Sequence, residues 1–253
     1  MLNQSFLCKN GHEIVLDRVE AYDASLLNCF AFRRGTDIAD GYTLSLGNMV
    51  SGFPFDIDGV KFHNSECAYI AGMFSADNEL HRVIQEELRN ETNGFMSKKR
   101  IRRHNESLKR EDWEEFNIDW MLYVVWNKVK GNKEFRKILL DLPDAAVIIE
   151  DSTFQAGRTA TIWGTKNKDM RKKLNEYKKE LKSKGFSKKK IKDKCDEKRL
   201  VELRKFGVFE GKNFMGKILM LCREALKSGC IPPIDFDLLR EKNIYLLGER
   251  MRF

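Results

Sequence analysis

The chain has 253 residues, 42% of them hydrophobic, enough to build one sizeable core. No apolar run approaches the ~18 residues of a membrane span, and the N-terminus lacks the basic flank and long apolar stretch of a secretory signal. The six cysteines are scattered singly, which argues against a disulfide framework and points to reduced thiols in a cytoplasmic protein.

The net charge of +8 is unevenly placed. Residues 166–205 hold 18 Lys/Arg against 7 Asp/Glu, leaving 28 against 31 elsewhere. A near-neutral body therefore carries one strongly basic element, which suggests an acidic partner.

In chain order, the first 60 residues read as strands and turns. Residues 14–16 and 42–44 are β-prone, and Asp58-Gly59 between 55–57 and 60–62 signals a hairpin. A helix is expected over 65–74. A second begins near Asp77 with Leu80, Val83, Ile84 and Leu88 on one face, and Asn93-Gly94 ends it. A longer helix carries Ile118, Met121, Leu122, Val125 and Val129 as an apolar stripe up to Gly131. Trp113, Trp120 and Trp126 surround it, and the last two read as packing residues.

Residues 145–149 read as a buried strand running into Glu150, and 204–209 make a poor strand. In the basic element, Met170, Leu174, Tyr177 and Leu181 form a narrow apolar seam. Gly185-Phe186-Ser187 supplies a helix stop, a staple and a new N-cap. A second helix then runs from Lys188 towards Leu203, making a helical hairpin. Residues 244–247 read as a terminal strand. The expected fold class is α+β: one mainly helical domain, a small N-terminal β-sheet, and a basic helical insertion over about 166–205 standing out as an arm.

Gly211-Lys212-Asn213-Phe214-Met215-Gly216-Lys217 matches seven positions of a phosphate-binding loop. The eighth, Ile218, lacks the hydroxyl that would hold magnesium, so an NTPase is disfavoured. Cys8 and His12 are two metal-ligand types without a matching second pair, so no metal and no cofactor are expected.

The same glycine-rich stretch, continued through Leu219-Met220 and Arg223, resembles the closing G-x-N-x-x-G-x-x-L-M-x-x-R motif of the NADAR/YbiA-like family. Other pieces follow in that family's order. Gly47-Asn48-Met49 ahead of Phe53-Pro54-Phe55 is similar to its opening element. Gly59, Phe62, Glu66 and Tyr69 resemble its G-x-x-F-x-x-x-E-x-x-Y segment. Met121 with Lys128 resembles its M-x-x-x-x-x-x-K helix, and Glu150 with Trp163-Gly164 its E…W-G pair. The resemblance spans about 47–226. It departs at Cys67, Ile70 and Met73, where better-known bacterial members carry His, Gln and Lys.

The resemblance implies an N-glycosidic bond hydrolase that removes ADP-ribose from guanine bases in nucleic acid. The alternatives are a hydrolase of ribosylated pyrimidine intermediates of riboflavin synthesis and a non-catalytic ADP-ribose or nucleic-acid binding module. Its implied partners are an ADP-ribosylated nucleic acid or nucleotide and, acting in opposition, a guanine-specific ADP-ribosyltransferase. Such a reaction develops positive charge at the ribose C1′, so it needs an anionic carboxylate, a proton donor for the departing base and a placed water.

Glu66 is the first candidate for the general acid/base or the electrostatic stabiliser, although a first-turn glutamate also answers the helix dipole. Glu150 is the second. Lys98 or Lys99 would bind phosphate or supply an amine nucleophile, against the alternative of a solvated basic face. Asn48, Phe62, Tyr69, Trp163, Gly164 and Asn213 are the substrate-binding candidates. Trp163 is equally a packing residue, and the asparagines equally turn or cap residues. Lys188, Lys189 and Lys190 are candidate nucleic-acid contacts.

Overall fold

The computed structural model describes residues 5–7, 11 and 13–253; Cys8 and His12 lie outside them. In chain order the strands and helices begin with β1 (Ser5–Leu7), β2 (Glu13–Val15), β3 (Glu20–Asp23), β4 (Cys29–Phe32), β5 (Ile38–Ala39) and β6 (Tyr42–Thr43). There follow β7 (Phe55–Ile57), β8 (Val60–Phe62), α1 (Ser65–Met73), α2 (Glu79–Asn90), α3 (Gly94–Met96) and a π-helical turn, Ser97–Arg102. The middle of the chain holds α4 (Trp113–Gly131), α5 (Lys133–Asp141), β9 (Val147–Glu150), α6 (Ala160–Trp163), α7 (Lys168–Ser183) and α8 (Lys188–Val201). Last come β10 (Val208–Gly211), α9 (Phe214–Ser228), α10 (Phe236–Glu241), β11 (Tyr245–Leu246) and β12 (Glu249–Arg250).

The fold is α+β and mainly helical, with small sheets. Two compact units divide it: Leu46–Leu140 with Leu221–Phe253, and the described residues of Leu2–Ser45 with Asp141–Met220.

In the first unit α4 is buried nearly all round, with polar Asn117, Asp119 and Lys128 enclosed alongside its apolar residues. It is a central helix, and the expected one-sided stripe understates its burial. Helix α1 packs on it so closely that a Cβ at Gly72 would lie 2.2 Å from the Trp120 Nε1. That indole donates to the Ala68 carbonyl at 3.1 Å. The β7–β8 hairpin turns at Asp58 (φ 46°) and Gly59 (φ 80°), as its Asp-Gly pair requires.

Helix α2 corrects the sequence reading. Leu80 and Val83 are exposed, and the helix docks through His81, Ile84, Gln85 and Leu88. The reason is a set of enclosed backbone groups that only polar side chains satisfy. Gln85 donates to the carbonyls of Ala71, Phe74 and Tyr245, and His81 contacts Ala76 N and Leu108 O.

In the second unit the N-terminal β-structure is divided into separate two-stranded sheets: β1 pairs with β2 and β5 with β6 locally, while β3 and β4 pair with distant segments. β4 runs parallel to β9, with Phe32 opposite Glu150, and β3 runs antiparallel to β10. Strands of two to four residues carry too little pattern to announce such partners. The poor strand expected at 204–209 is β10, shifted to Val208–Gly211.

Helices α7 and α8 form the expected hairpin. Gly185 turns at φ 76°, and the Ser187 side chain accepts from Lys190 N. The hairpin is not a free arm. Met170, Leu174, Leu181 and Ile191 are buried. Its root is fixed by Asn167, which caps α7 and donates to the Phe206 carbonyl at 2.8 Å. Arg199 enters the interior between Asp37 (2.8 Å) and Asp151 (3.5 Å). Arg34 pairs with Asp196 and Arg204 with Asp40. Part of the basic charge that suggested a solvated arm thus anchors it.

Candidate functional site

In the first unit the candidate site is built on the first turn of α1. Asn64 caps the helix, accepting from Cys67 N at 2.9 Å, which turns Glu66 inward. Glu66 is only 2% exposed. Its backbone N–H donates to the Asn48 carbonyl at 3.0 Å, and the Asn48 side-chain amide donates back to its carboxylate. Burial pushes the Glu66 carboxyl above the usual carboxylate range, while the charges of Lys98 and Arg102 and the Asn48 amide pull the other way.

Lys98 and Arg102 lie on the π-helical turn, four residues apart and on one face. Lys99 diverges from them, its Nζ 6.0 Å from the Phe95 ring. Of the two adjacent lysines, Lys98 is the one whose charge acts on Glu66. Tyr69, one turn after Glu66, packs edge-on against Trp113 at 5.0 Å and is hydrogen-bonded by it. Burial first, and the Glu66 charge second, push its phenol far up, so it stays protonated. Phe62 is buried and packs against Phe55.

In the second unit the other motif residues form a tight backbone clasp around the end of β9. Asn213, fully buried at φ 55°, accepts from Glu150 N at 3.0 Å and donates to the Ile148 carbonyl at 2.9 Å. Its side chain is thereby committed to β9. Three glycines allow the surrounding chain to close in. A Cβ at Gly164 would lie 2.7 Å from the Glu150 carbonyl, one at Gly211 2.4 Å from the Gly164 carbonyl, and one at Gly216 2.2 Å from the Ile148 carbonyl. The clasp leaves Glu150 and Trp163 half-buried, with Trp163 edge-on to Phe214 at 5.8 Å.

The phosphate-loop alternative fails on the same geometry. Helix α9 already begins at Phe214, placing Gly216 and Lys217 inside it. Lys217 is fully buried and donates to the carbonyls of Val15 and Arg18, both at 2.7 Å, so its ammonium is spent on the body of the unit.

The structure therefore brings Asn48, Glu66, Tyr69 and Lys98 together in one unit, and Glu150, Trp163, Gly164 and Asn213 in the other. Lys188, Lys189 and Lys190 stand exposed at the tip of the hairpin. Among the described residues no three His, Cys, Asp or Glu side chains converge as a metal site, and no helix is long and apolar enough to cross a membrane. Sequence reasoning missed Arg102, although its four-residue spacing from Lys98 was visible. It also missed Arg199, whose two aspartates lie far away in the chain.

No protein-family model matches the chain, and no curated protein matches it. Among solved structures, the NMR structure of the Escherichia coli protein YbiA is similar. It is 19% identical, with 80% of this chain and 86% of that chain covered and a TM-score of 0.47.

Proposed function

We propose that the protein hydrolyses an N-glycosidic bond, removing ADP-ribose from guanine bases in nucleic acid. The observation that carries the reading is the buried Glu66 carboxyl, held above the ordinary carboxylate range and flanked by Asn48, Lys98 and Arg102. A carboxyl raised in this way retains a proton at higher pH than an ordinary one, as a general acid requires. It would give that proton to the departing base as the bond from C1′ to the base nitrogen breaks, and the resulting carboxylate would take up the proton released by the water that adds at C1′, which restores the starting carboxyl. Lys98 and Arg102 supply positive charge for a pyrophosphate. The π-helical turn that carries them is a distortion often found at functional positions.

A second reading, a non-catalytic ADP-ribose binding module, is favoured by two observations. Glu66 is almost closed to solvent, and Cys67, Ile70 and Met73 of α1 are buried and contribute no further proton donor or acceptor of the carboxyl, amide or amine kind.

The deciding experiment incubates the protein with ADP-ribosylated guanosine, free and within an oligonucleotide, and follows release of ADP-ribose by mass spectrometry. Release by the wild type and its loss in Glu66→Gln are expected. Binding without release would favour the module, and undiminished release in Glu66→Gln would remove Glu66 from the chemistry.

A further inference from the structure

We infer that the outer face of the α7–α8 hairpin is a docking surface for the phosphate backbone of duplex nucleic acid, engaged without reading bases. The inference stands apart from the hydrolase reading, because it concerns unmodified duplex and uses none of the residues around Glu66.

The first support is how the charge is divided. Arg199 and Arg204 are used internally, Lys184 pairs with Glu180, and Lys198 with Glu202. Lys172, Lys178, Lys179, Lys182, Lys188 and Lys189 remain exposed, with no ion pair among the described residues. Arg199 and Arg204 thus clamp the hairpin while these lysines face solvent. Lysine suits phosphate as a compact point charge that does not require a fixed fork geometry.

The second is rigidity. The Asn167 tie at the root and the Arg199 contacts to Asp37 and Asp151 hold α8 against the body of its unit. The cations are therefore carried on a fixed rod and not on a tail that must be ordered on binding. The 16 residues of α7 span about 24 Å at ~1.5 Å per residue, the axial length of about seven phosphates of one DNA strand.

The third is what the aromatic residues do. The Tyr177 ring is covered by Lys198 (4.5 Å), and Phe186 is approached by Lys190 (5.9 Å) and Lys194 (5.5 Å). These rings are not laid open as platforms for stacked bases. Val201 is the one prominently exposed large apolar side chain of the hairpin among the described residues. A face with so little apolar surface is poorly suited to insertion into a lipid interface, so a nucleic-acid backbone fits the chemistry better than a membrane.

The test measures binding of the full chain to an unmodified 20-base-pair duplex across a salt series. It compares wild type with two triple variants, Lys172→Gln/Lys179→Gln/Lys189→Gln and, in the first unit, Lys61→Gln/Lys133→Gln/Arg250→Gln. Each lost phosphate contact should lower the steepness of log K against log salt by ~0.9, so the hairpin variant is expected to lose about 2.7. The control variant should lose much less. Thermal unfolding of both variants checks that exposed lysines were removed without disturbing the fold. The proposal is overturned by no duplex binding at low salt, an unchanged slope in the hairpin variant, or an equal fall in the control. Tighter binding to phosphatidylserine vesicles than to duplex at the same salt would also overturn it.

Discussion

Lys128 offers the sharpest test of the physical reasoning. It sits on α4, fully buried, with no hydrogen-bond partner for its Nζ among the described residues. Its ammonium lies 3.9 Å from the Phe135 ring centroid and 5.3 Å from that of Phe53. Burial lowers its titration from 10.5 to about 7. At ~1.4 kcal/mol per pH unit, that gap corresponds to about 5 kcal/mol against folding when both states are protonated. The two rings oppose this by about 2 kcal/mol, the upper range for a desolvated cation–π contact. Desolvation wins by about 3 kcal/mol.

Replacing Lys128 by Met keeps the volume and removes the charge, so the variant should be more stable near pH 7 by about 3 kcal/mol. The sign follows from proton counting. Between its native and its unfolded titration the unfolded chain holds the proton and the native state does not, so wild-type stability rises with pH across that window, which the two ring contacts narrow from its lower end. The advantage of Met should therefore shrink towards pH 9. Urea unfolding of both proteins at pH 7, 8 and 9 measures it. A Met variant that is less stable at pH 7, or a difference that does not change with pH, would refute the assignment of an uncompensated buried amine.

Arg199→Ala should cost about 3–5 kcal/mol in urea unfolding, since it leaves Asp37 and Asp151 buried without their cation; a loss below 1 kcal/mol would show that the pair is not desolvated. Gly211→Ala should be destabilising by at least the ~1–3 kcal/mol of an overpacked core, because its Cβ would meet the backbone carbonyl of Gly164 and not a movable side chain. A neutral effect in the melting curve would contradict the clasp. Glu66→Gln should raise the melting temperature at pH 7 while abolishing ADP-ribose release. The raised carboxyl holds its proton more tightly folded than unfolded, so its ionisation weakens the native state as pH rises, and the amide has nothing to ionise. A lower melting temperature at pH 7 would mean that the flanking cations outweigh burial.

The helices were the most legible part of the sequence. Gly185-Phe186-Ser187 announced the turn between α7 and α8, and Asp58-Gly59 announced the β7–β8 hairpin, because both signals are local. What was not local was lost. The partners of β3 and β4 lie more than a hundred residues away, and Arg199 finds its two carboxylates only through tertiary folding. The face of α2 was misjudged for a related reason. Hydrophobicity ranks Leu80 above Gln85, but buried carbonyls need an amide, and those carbonyls cannot be seen until the chain is folded.

The candidate site divides along the same line. Gly164, Gly211, Asn213 and Gly216 are explained by the clasp on β9 alone: three have no room for a Cβ, and the fourth spends its amide on Ile148 and Glu150. A motif made of such residues specifies backbone geometry, and a chain could retain it whatever chemistry it performed. Glu66 is different. Its burial works against an ionised carboxylate, and packing alone would be served by an apolar residue at that position. Asn48, Lys98 and Arg102 surround it with the dipole and charges that a buried ionisable group requires. The case for hydrolysis consequently rests on that group and its neighbours, which is why release by the wild type separates an enzyme from a binding module and Glu66→Gln then decides whether this carboxyl does the chemistry.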